Sequence, residues 1–351
     1  MDLGFFNELL RIDSTSGKER KVAQWLAERL PGLFPETNRP VLRAEEVGDG
    51  TLNLLLTWGT PRIVFCSHLD TVPPYIAPTF PERWPVAAGT LSDTIKGRGS
   101  CDAKGQVIAM VTACQRLAEA GRTDFGLLLL AGEETGSWGA KAFAKTDFPA
   151  EYLVVGEPTD NCMVSASKGT KSFDLKFTGV PFHSGYPQHG VSAVDLFVDF
   201  VNRLKAKDFG MDPVLGETTW NIGLVHSDNP QNILSPELTC RLYFRTTFVS
   251  DTVVMAWMQD VPGMTGNLTV TPRGGDTPAR YWTVSDLPAK AVAFGSDAPH
   301  LTNFAHKAIC GPGSITVAHR DDECVRSADL ITAVEQYLHL YDAVTGTAEN
   351  T

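Results

Sequence analysis

The stretch "IVFCSHLDTVPP", Ile63 to Pro74, decides the fold. It opens as a short unbroken apolar run rich in β-formers, the pattern of a strand covered on both faces. His68 and Asp70 stand where that run stops, and the turn-forming Pro73 and Pro74 follow. An imidazole and a carboxylate two residues apart at a strand end admit two readings. One is a satisfied histidine beside a turn-opening aspartate; the other is a metal ligand whose second ring nitrogen is held by a carboxylate. The rest of the chain decides between them.

Working outward, "NLLLTW" (Asn53–Trp58), "FGLLLLAGEE" (Phe125–Glu134) and "EYLVVGEPT" (Glu151–Thr159) are further apolar runs, the last two ending in acids. Between them "GQVIAMVTACQRLAEAG" has a 3.6-residue period and a closing Gly121, so it predicts a helix. Strands alternating with helices indicate an α/β fold with a mostly parallel sheet. At the N-terminus, Phe5, Leu9 and Leu10, then Val22, Trp25, Leu26 and Leu30, recur at helical spacing, and Ser16 stands three residues before Glu19 like a capping box. A Pro-rich connection runs from Pro73 to Pro85.

From about Lys168 the texture changes. "KSFDLKFTG" alternates, "AVDLFVDFVNRLKA" is helical, and "LTCRLYFRTTF" and "NLTVTPRGG" alternate again, which predicts a smaller inserted β-α-β-β domain with a half-exposed sheet. The α/β pattern returns at "KAVAFGSD", "HKAICGPGS" and the helical "ADLITAVEQYLHLYDAV". A chain of 351 residues also exceeds what one core usually organises, at about 100–200 residues per domain. The formal charge of −11 excludes the basic face that nucleic acid or an anionic membrane surface would require. No apolar run approaches the ~20 residues of a membrane span, and the start lacks the layout of a secretory signal. Seven scattered cysteines without a C-x-x-C pair favour free thiols in a reducing cytoplasm.

Metal-type residues recur at the ends of the apolar runs: His68 and Asp70, Asp102 in "GRGSCDAKG", Glu133 with Glu134 in "AGEETGS", Glu157 in "VVGEPT", and His319 in "GPGSITVAHRDDE". Singly, each reads as a cap or loop acid; together they converge on the ligand-binding edge of one sheet. Adjacent carboxylates after a core strand repel unless a cation or proton separates them. One can ligate a metal while the other carries a proton, the division of labour that metal-assisted hydrolysis needs. Asp102, Glu134 and Glu157 set three negative charges against two divalent ions, and a bridging hydroxide closes the balance. Imidazole with carboxylate suits zinc, with manganese or cobalt accepted by the same donors. A nucleotide site fits poorly, because "GRGSCDAKG" lacks the G-x-G-x-x-G spacing and Asp102 would repel a pyrophosphate.

These residues resemble the two-metal amidohydrolases that include acetylornithine deacetylase, succinyl-diaminopimelate desuccinylase and glutamate carboxypeptidase. The likeness runs through "SHLDTVP", "GRGSCDAKG", "AGEETGS", "VVGEPT", "FHSGYPQHGVSAVD" and "GPGSITVAH", and "AFGSDAP" followed by "GPGSITVAHRDDE" looks most like the acetylornithine deacetylases. The resemblance implies His68 and Glu157 on one metal, Glu134 and His319 on the other, and Asp102 as the bridge. It makes Asp70 the orienting residue of His68, Glu133 the general acid/base, and His183 the donor to the oxyanion. Asn232 and Arg245 would hold a substrate carboxylate. It further implies a catalytic domain of residues 1–165 and 280–351, with residues 166–279 forming a dimerisation or lid domain, and a homodimer.

The substrate expected on this likeness is a small N-acyl amino acid, N-acetylornithine first, hydrolysed to ornithine and acetate as in arginine biosynthesis. N-acetylcitrulline, succinyl-diaminopimelate, a dipeptide or another acyl amino acid are the alternatives within the class. Outside it stands a non-catalytic metal-binding homologue, which would have no reason to keep Glu133 beside a ligand. Three features depart from the family pattern: "SDTIKGRG" before the bridging aspartate, Cys101 preceding Asp102, and Tyr243 in "CRLYFR". They remove no ligand and bear on substrate choice.

Overall fold

The computed structural model describes residues 1–48, 50–81 and 93–346; the end of the Pro-rich connection, the Ser92 that begins "SDTIKGRG", and the last residues of the tail lie outside them. Two compact units divide the chain. The first comprises Met1–Ser165, Tyr281–Lys290 and Ser296–Thr351, and the second Ala166–Arg280 with Ala291–Gly295.

The first unit is built on a six-stranded sheet in the order Val41–Val47, Thr51–Gly59, Asp124–Leu130, Ile63–His68, Tyr152–Val155, His306–Ile309. The first two neighbouring pairs are antiparallel and the other three parallel, so the fold is α/β with a mostly parallel centre. Every residue of Ile63–His68 is buried, as a parallel strand covered on both faces requires. Leu127 to Leu130 are fully buried as well, each contributing about 1.5–3 kcal/mol relative to exposure. Helices Lys104–Glu119 and Ser327–Thr345 pack on each other and on the sheet, bringing Val107, Ile108, Tyr337 and Leu340 into one core with Phe65, Leu127 and Leu129.

At the N-terminus the helical spacing resolves into two helices, Leu3–Arg11 and Arg20–Arg29. Asp2 caps the first through Oδ1, which accepts from the Phe5 amide at 3.0 Å. The expected capping box does not form. Glu19 is the N-cap and makes no cap bond, while the Ser16 hydroxyl donates to Asp70 Oδ2 at 2.9 Å. A buried carboxylate is a stronger acceptor for that hydroxyl than the neutral groups of a cap offer in exchange.

The second unit carries a four-stranded antiparallel sheet ordered Thr219–His226, Glu237–Thr246, Gly169–Thr178, Leu268–Gly274. Its apolar face, with Phe173, Leu175, Phe177, Leu242 and Phe244, is covered by Phe200 and Leu204 from Ala193–Ala206 and by Val254, Met258 and Val261 from Asp251–Thr265. Asp174 on the other face pairs with Arg241 and Arg273. The main additions to the β-α-β-β reading are the strand Thr219–His226 and the helix Asp251–Thr265. That helix contains Val253, Val254 and Pro262, residues of low helix propensity, and tertiary burial of its apolar face overrides them.

Among the described residues no helix is long and apolar enough to cross a membrane. All seven cysteines are free.

Candidate metal centre and active site

Strand register assembles the centre. His68 pairs with Leu130, and Cys66 with Val155. The side chains two beyond Cys66 and two beyond Val155, His68 and Glu157, therefore emerge level with one another. Glu133 and Glu134 follow on the neighbouring strand. Gly132 makes their turn possible: its φ is +70°, and a Cβ there would stand 1.9 Å from the Trp138 ring. Asp102 arrives from the loop before Lys104–Glu119, and His319 from a loop in which its own φ is +64°, a left-handed conformation uncommon for a residue with a side chain.

Asp102 lies between the two histidines. Its Oδ1 is 3.1 Å from His68 Nε2 and its Oδ2 is 3.3 Å from His319 Nε2. His319 Nε2 also meets Glu134 Oε1 at 3.0 Å. Donor atoms of His68, Asp102 and Glu157 lie within 4.8 Å of one another, and those of Asp102, Glu134 and His319 form a second such group. Asp102 is common to both.

Asp70 faces His68 with both its main chain and its carboxylate. His68 Nδ1 is 2.9 Å from the main-chain carbonyl of Asp70, while the carboxylate Oδ1 is 3.5 Å away. The carboxylate also accepts the amides of Glu133 at 3.0 Å and Glu134 at 3.1 Å, besides the Ser16 hydroxyl. One buried residue thus holds the backbone of both glutamates through its side chain and faces the imidazole with its carbonyl and carboxylate.

The electrostatics show a centre short of positive charge. Burial lifts Glu133 well above the usual carboxylate range, against the pull of His68, and Asp297, Glu134 and Asp102 add to the rise. Glu157 is lifted likewise by burial and then by Glu133. His319 is pushed up to about 10 by its hydrogen bonds to Asp102 and Glu134. Burial works against charge on His68, but the bonds to Asp102 and Asp70 outweigh it and hold the imidazole well above its ordinary value. Protons supply here the charge that cations would bring. Glu157 Oε1 is buried with no hydrogen-bond partner, which leaves it free to meet a cation. By donor type, grouping and charge, the residues fit a pair of divalent ions.

Two further buried acids went unassigned in the sequence. Asp297, in "AFGSDAP", is 1% exposed with an unpartnered Oδ1 and is raised to about 6 by burial. Glu323, closing "HRDDE", accepts three main-chain amides. Their signal lay in the quoted strings, but an acid in a polar loop reads as solvated until its burial is known.

The other expected residues belong to the second unit. His183 and Asn232 are brought together: His183 bridges Ile233, and the Ser184 amide donates to the Asn232 carbonyl at 2.9 Å. The Gly185 amide donates to His183 Nδ1 at 3.0 Å, which leaves Nε2 as the ring nitrogen open to a ligand. Arg245 lies at the far end of Glu237–Thr246 from that segment, roughly 26 Å along the strand, with its guanidinium over the Tyr243 ring at 5.1 Å.

An α/β sheet that gathers carboxylates and imidazoles at its strand ends is the layout of a metal-assisted hydrolase. The chain belongs to peptidase family M20/M25/M40, whose description matches residues 64–343. A probable carboxypeptidase of Aspergillus terreus is 32% identical over 97% of this chain and 86% of its own length. An M20 domain-containing protein of Schizosaccharomyces pombe is 30% identical over 95% and 82%. In fold, a tripeptidase of Staphylococcus aureus superposes with a TM-score of 0.79 at 22% identity over 97% of both chains. A metallo-carboxypeptidase of Sulfolobus solfataricus gives 0.74 at 16% over 98% and 99%. Within the family, the acetylornithine deacetylases named in the sequence reading find no support among these relatives, whose names point to peptides.

Proposed function

We propose that this protein hydrolyses the amide bond of a short peptide or N-acyl amino acid with a free carboxylate, acting as a carboxypeptidase with a two-metal centre. The shared carboxylate of Asp102, one oxygen toward each histidine, carries the reading, because a bridging carboxylate between two donor groups suits paired cations. His68 and Glu157 would hold one ion, Glu134 and His319 the other, and Asp102 both. Zinc is preferred by the donor set, with cobalt or manganese as substitutes. The chemistry such ions supply is polarisation of the scissile carbonyl and acidification of a water.

Glu133 is the general acid/base: it takes the proton of the attacking water and returns it to the leaving nitrogen. Asp70 positions Glu133 and Glu134 through their amides. His183, through Nε2, is the donor for the oxyanion. Asn232 beside it is the residue for the substrate carboxylate, and Arg245, if it serves the same group, comes from the other copy of a homodimer. The free thiols agree with a reducing cytoplasm.

N-acetylornithine remains within the chemistry of the site, but the names of the relatives at about 30% identity favour a peptide. A panel of dipeptides with varied C-terminal residues, run beside N-acetylornithine and N-acetylcitrulline on zinc-loaded protein, tests the proposal. Faster turnover of the peptides supports it; turnover confined to acetylated amino acids replaces it with the deacetylase reading.

A further inference from the structure

A second set of buried charges ties together the loops that deliver the ligands, and it lies outside the reacting centre. Arg98 is 2% exposed and Glu323 1%; Arg98 Nη1 is 2.6 Å from Glu323 Oε2. Their other bonds cross between loops. Glu323 Oε1 accepts the amides of Gly99 at 2.9 Å, Cys101 at 3.1 Å and Asp102 at 3.0 Å. Arg98 reaches back: its Nη1 donates to the Arg320 carbonyl at 3.1 Å, next to His319, and its Nε to the Pro74 carbonyl at 3.2 Å, in the loop that follows His68 and Asp70. The Gly97 amide meets the Glu323 carbonyl at 3.0 Å, and Cys324–Arg326 pairs with Thr94–Lys96 directly beyond.

Burying an arginine and a glutamate costs free energy that a well-packed apolar pair would avoid, so such a pair is weak evidence for stability alone. Here each member spends its remaining capacity on the backbone of the opposite loop. We infer that Arg98 and Glu323 are a positioning pair that fixes the separation of Asp102 from His319, and so sets the affinity for the ion held by Asp102, Glu134 and His319. Asp102 serves the other ion too, but that ion depends on the pair less, because its remaining donors are His68, anchored in the sheet, and Glu157, two residues beyond a sheet strand, whereas His319 sits half-exposed on a loop. The inference rests on the two-metal reading proposed above.

The test is titration of metal-stripped, full-length protein with zinc alone, by calorimetry, for wild type, Glu323→Gln, and the double variant Arg98→Met with Glu323→Gln. Gln at 323 keeps an acceptor but points amide hydrogens at Arg98. The double variant removes both buried charges, and with them the ties to Pro74 and Arg320. Wild type is expected to bind two ions. Both variants are expected to bind one of them with affinity near wild type and the other about 10–100-fold more weakly, with kcat restored by excess zinc and KM unchanged. The double variant should regain thermal stability relative to Glu323→Gln without regaining the weak ion. Equal weakening of both ions, or recovery of affinity together with stability, overturns the inference and leaves the pair a contributor to folding only. Wild type binding fewer than two ions overturns the two-metal reading itself, and this inference with it.

Discussion

Replacing Asp70 by Asn tests the chain of reasoning from backbone to chemistry. The carboxylate is fully buried and accepts three hydrogen bonds: the amides of Glu133 and Glu134 and the Ser16 hydroxyl. An Asn oxygen can keep one amide, and its NH₂ can donate to Ser16 if that hydroxyl turns. The second amide is then left facing a donor. A buried unsatisfied N–H costs about 1–3 kcal/mol, and loss of charge assistance from the remaining bond adds about 1. Asp70→Asn should therefore lose about 2–4 kcal/mol in urea denaturation, against about 1 kcal/mol for Ser16→Ala, which removes one of the three bonds. Displacing the Glu133 backbone should also lower kcat by about 10²-fold, since small misplacements of a reacting group cost that much. If Asp70→Asn matches Ser16→Ala in both stability and kcat, the carboxylate does not hold the glutamate pair and the assignment fails.

Other consequences follow from single residues. Glu157→Gln should weaken zinc binding by more than tenfold with little loss of fold stability, because the orphaned buried oxygen has no other partner to lose; competition with a chromogenic chelator reads this. Gly132→Ala should destabilise by about 3 kcal/mol, through its positive φ and the clash with Trp138, seen as a lowered urea midpoint. Glu19 is buried and its carboxyl is raised, chiefly by burial with the Asp70 charge adding. A carboxyl raised in the folded state favours folding when protonated, and that contribution disappears as pH climbs through its folded pKa. Glu19→Gln should accordingly gain stability over wild type at pH 7.5 and lose that advantage at pH 4, in paired denaturation curves.

The parallel strands were legible because burial on both faces leaves a mark in sequence: "IVFCSH" and "LLLL" have no solvent side to interrupt them. The acids that follow were legible because a carboxylate directly after such a run has few structural reasons to be there. What the second unit hid is of another kind. Its helix Asp251–Thr265 carries Pro262 and paired valines, and burial of Val254, Met258 and Val261 in the second core overrides their low propensity. Glu323 and Arg98 were visible as residues but not as functions, and Asp70 only as a partner of His68, because their further partners are backbone amides and carbonyls, which every residue possesses and no pattern distinguishes. Ser16 resembled a cap for the same reason: a hydroxyl near a helix start has local partners in sequence, and here the preferred acceptor lies 54 residues away.

The most direct measurement is peptide hydrolysis by metal-stripped protein, with and without two equivalents of zinc, for wild type and Glu133→Gln. Turnover that requires zinc, and that falls about 10²–10⁴-fold in Glu133→Gln while the variant still takes up both ions, is the result predicted. Turnover that survives metal removal, or a Glu133→Gln enzyme as active as wild type, would contradict the assignment of the centre.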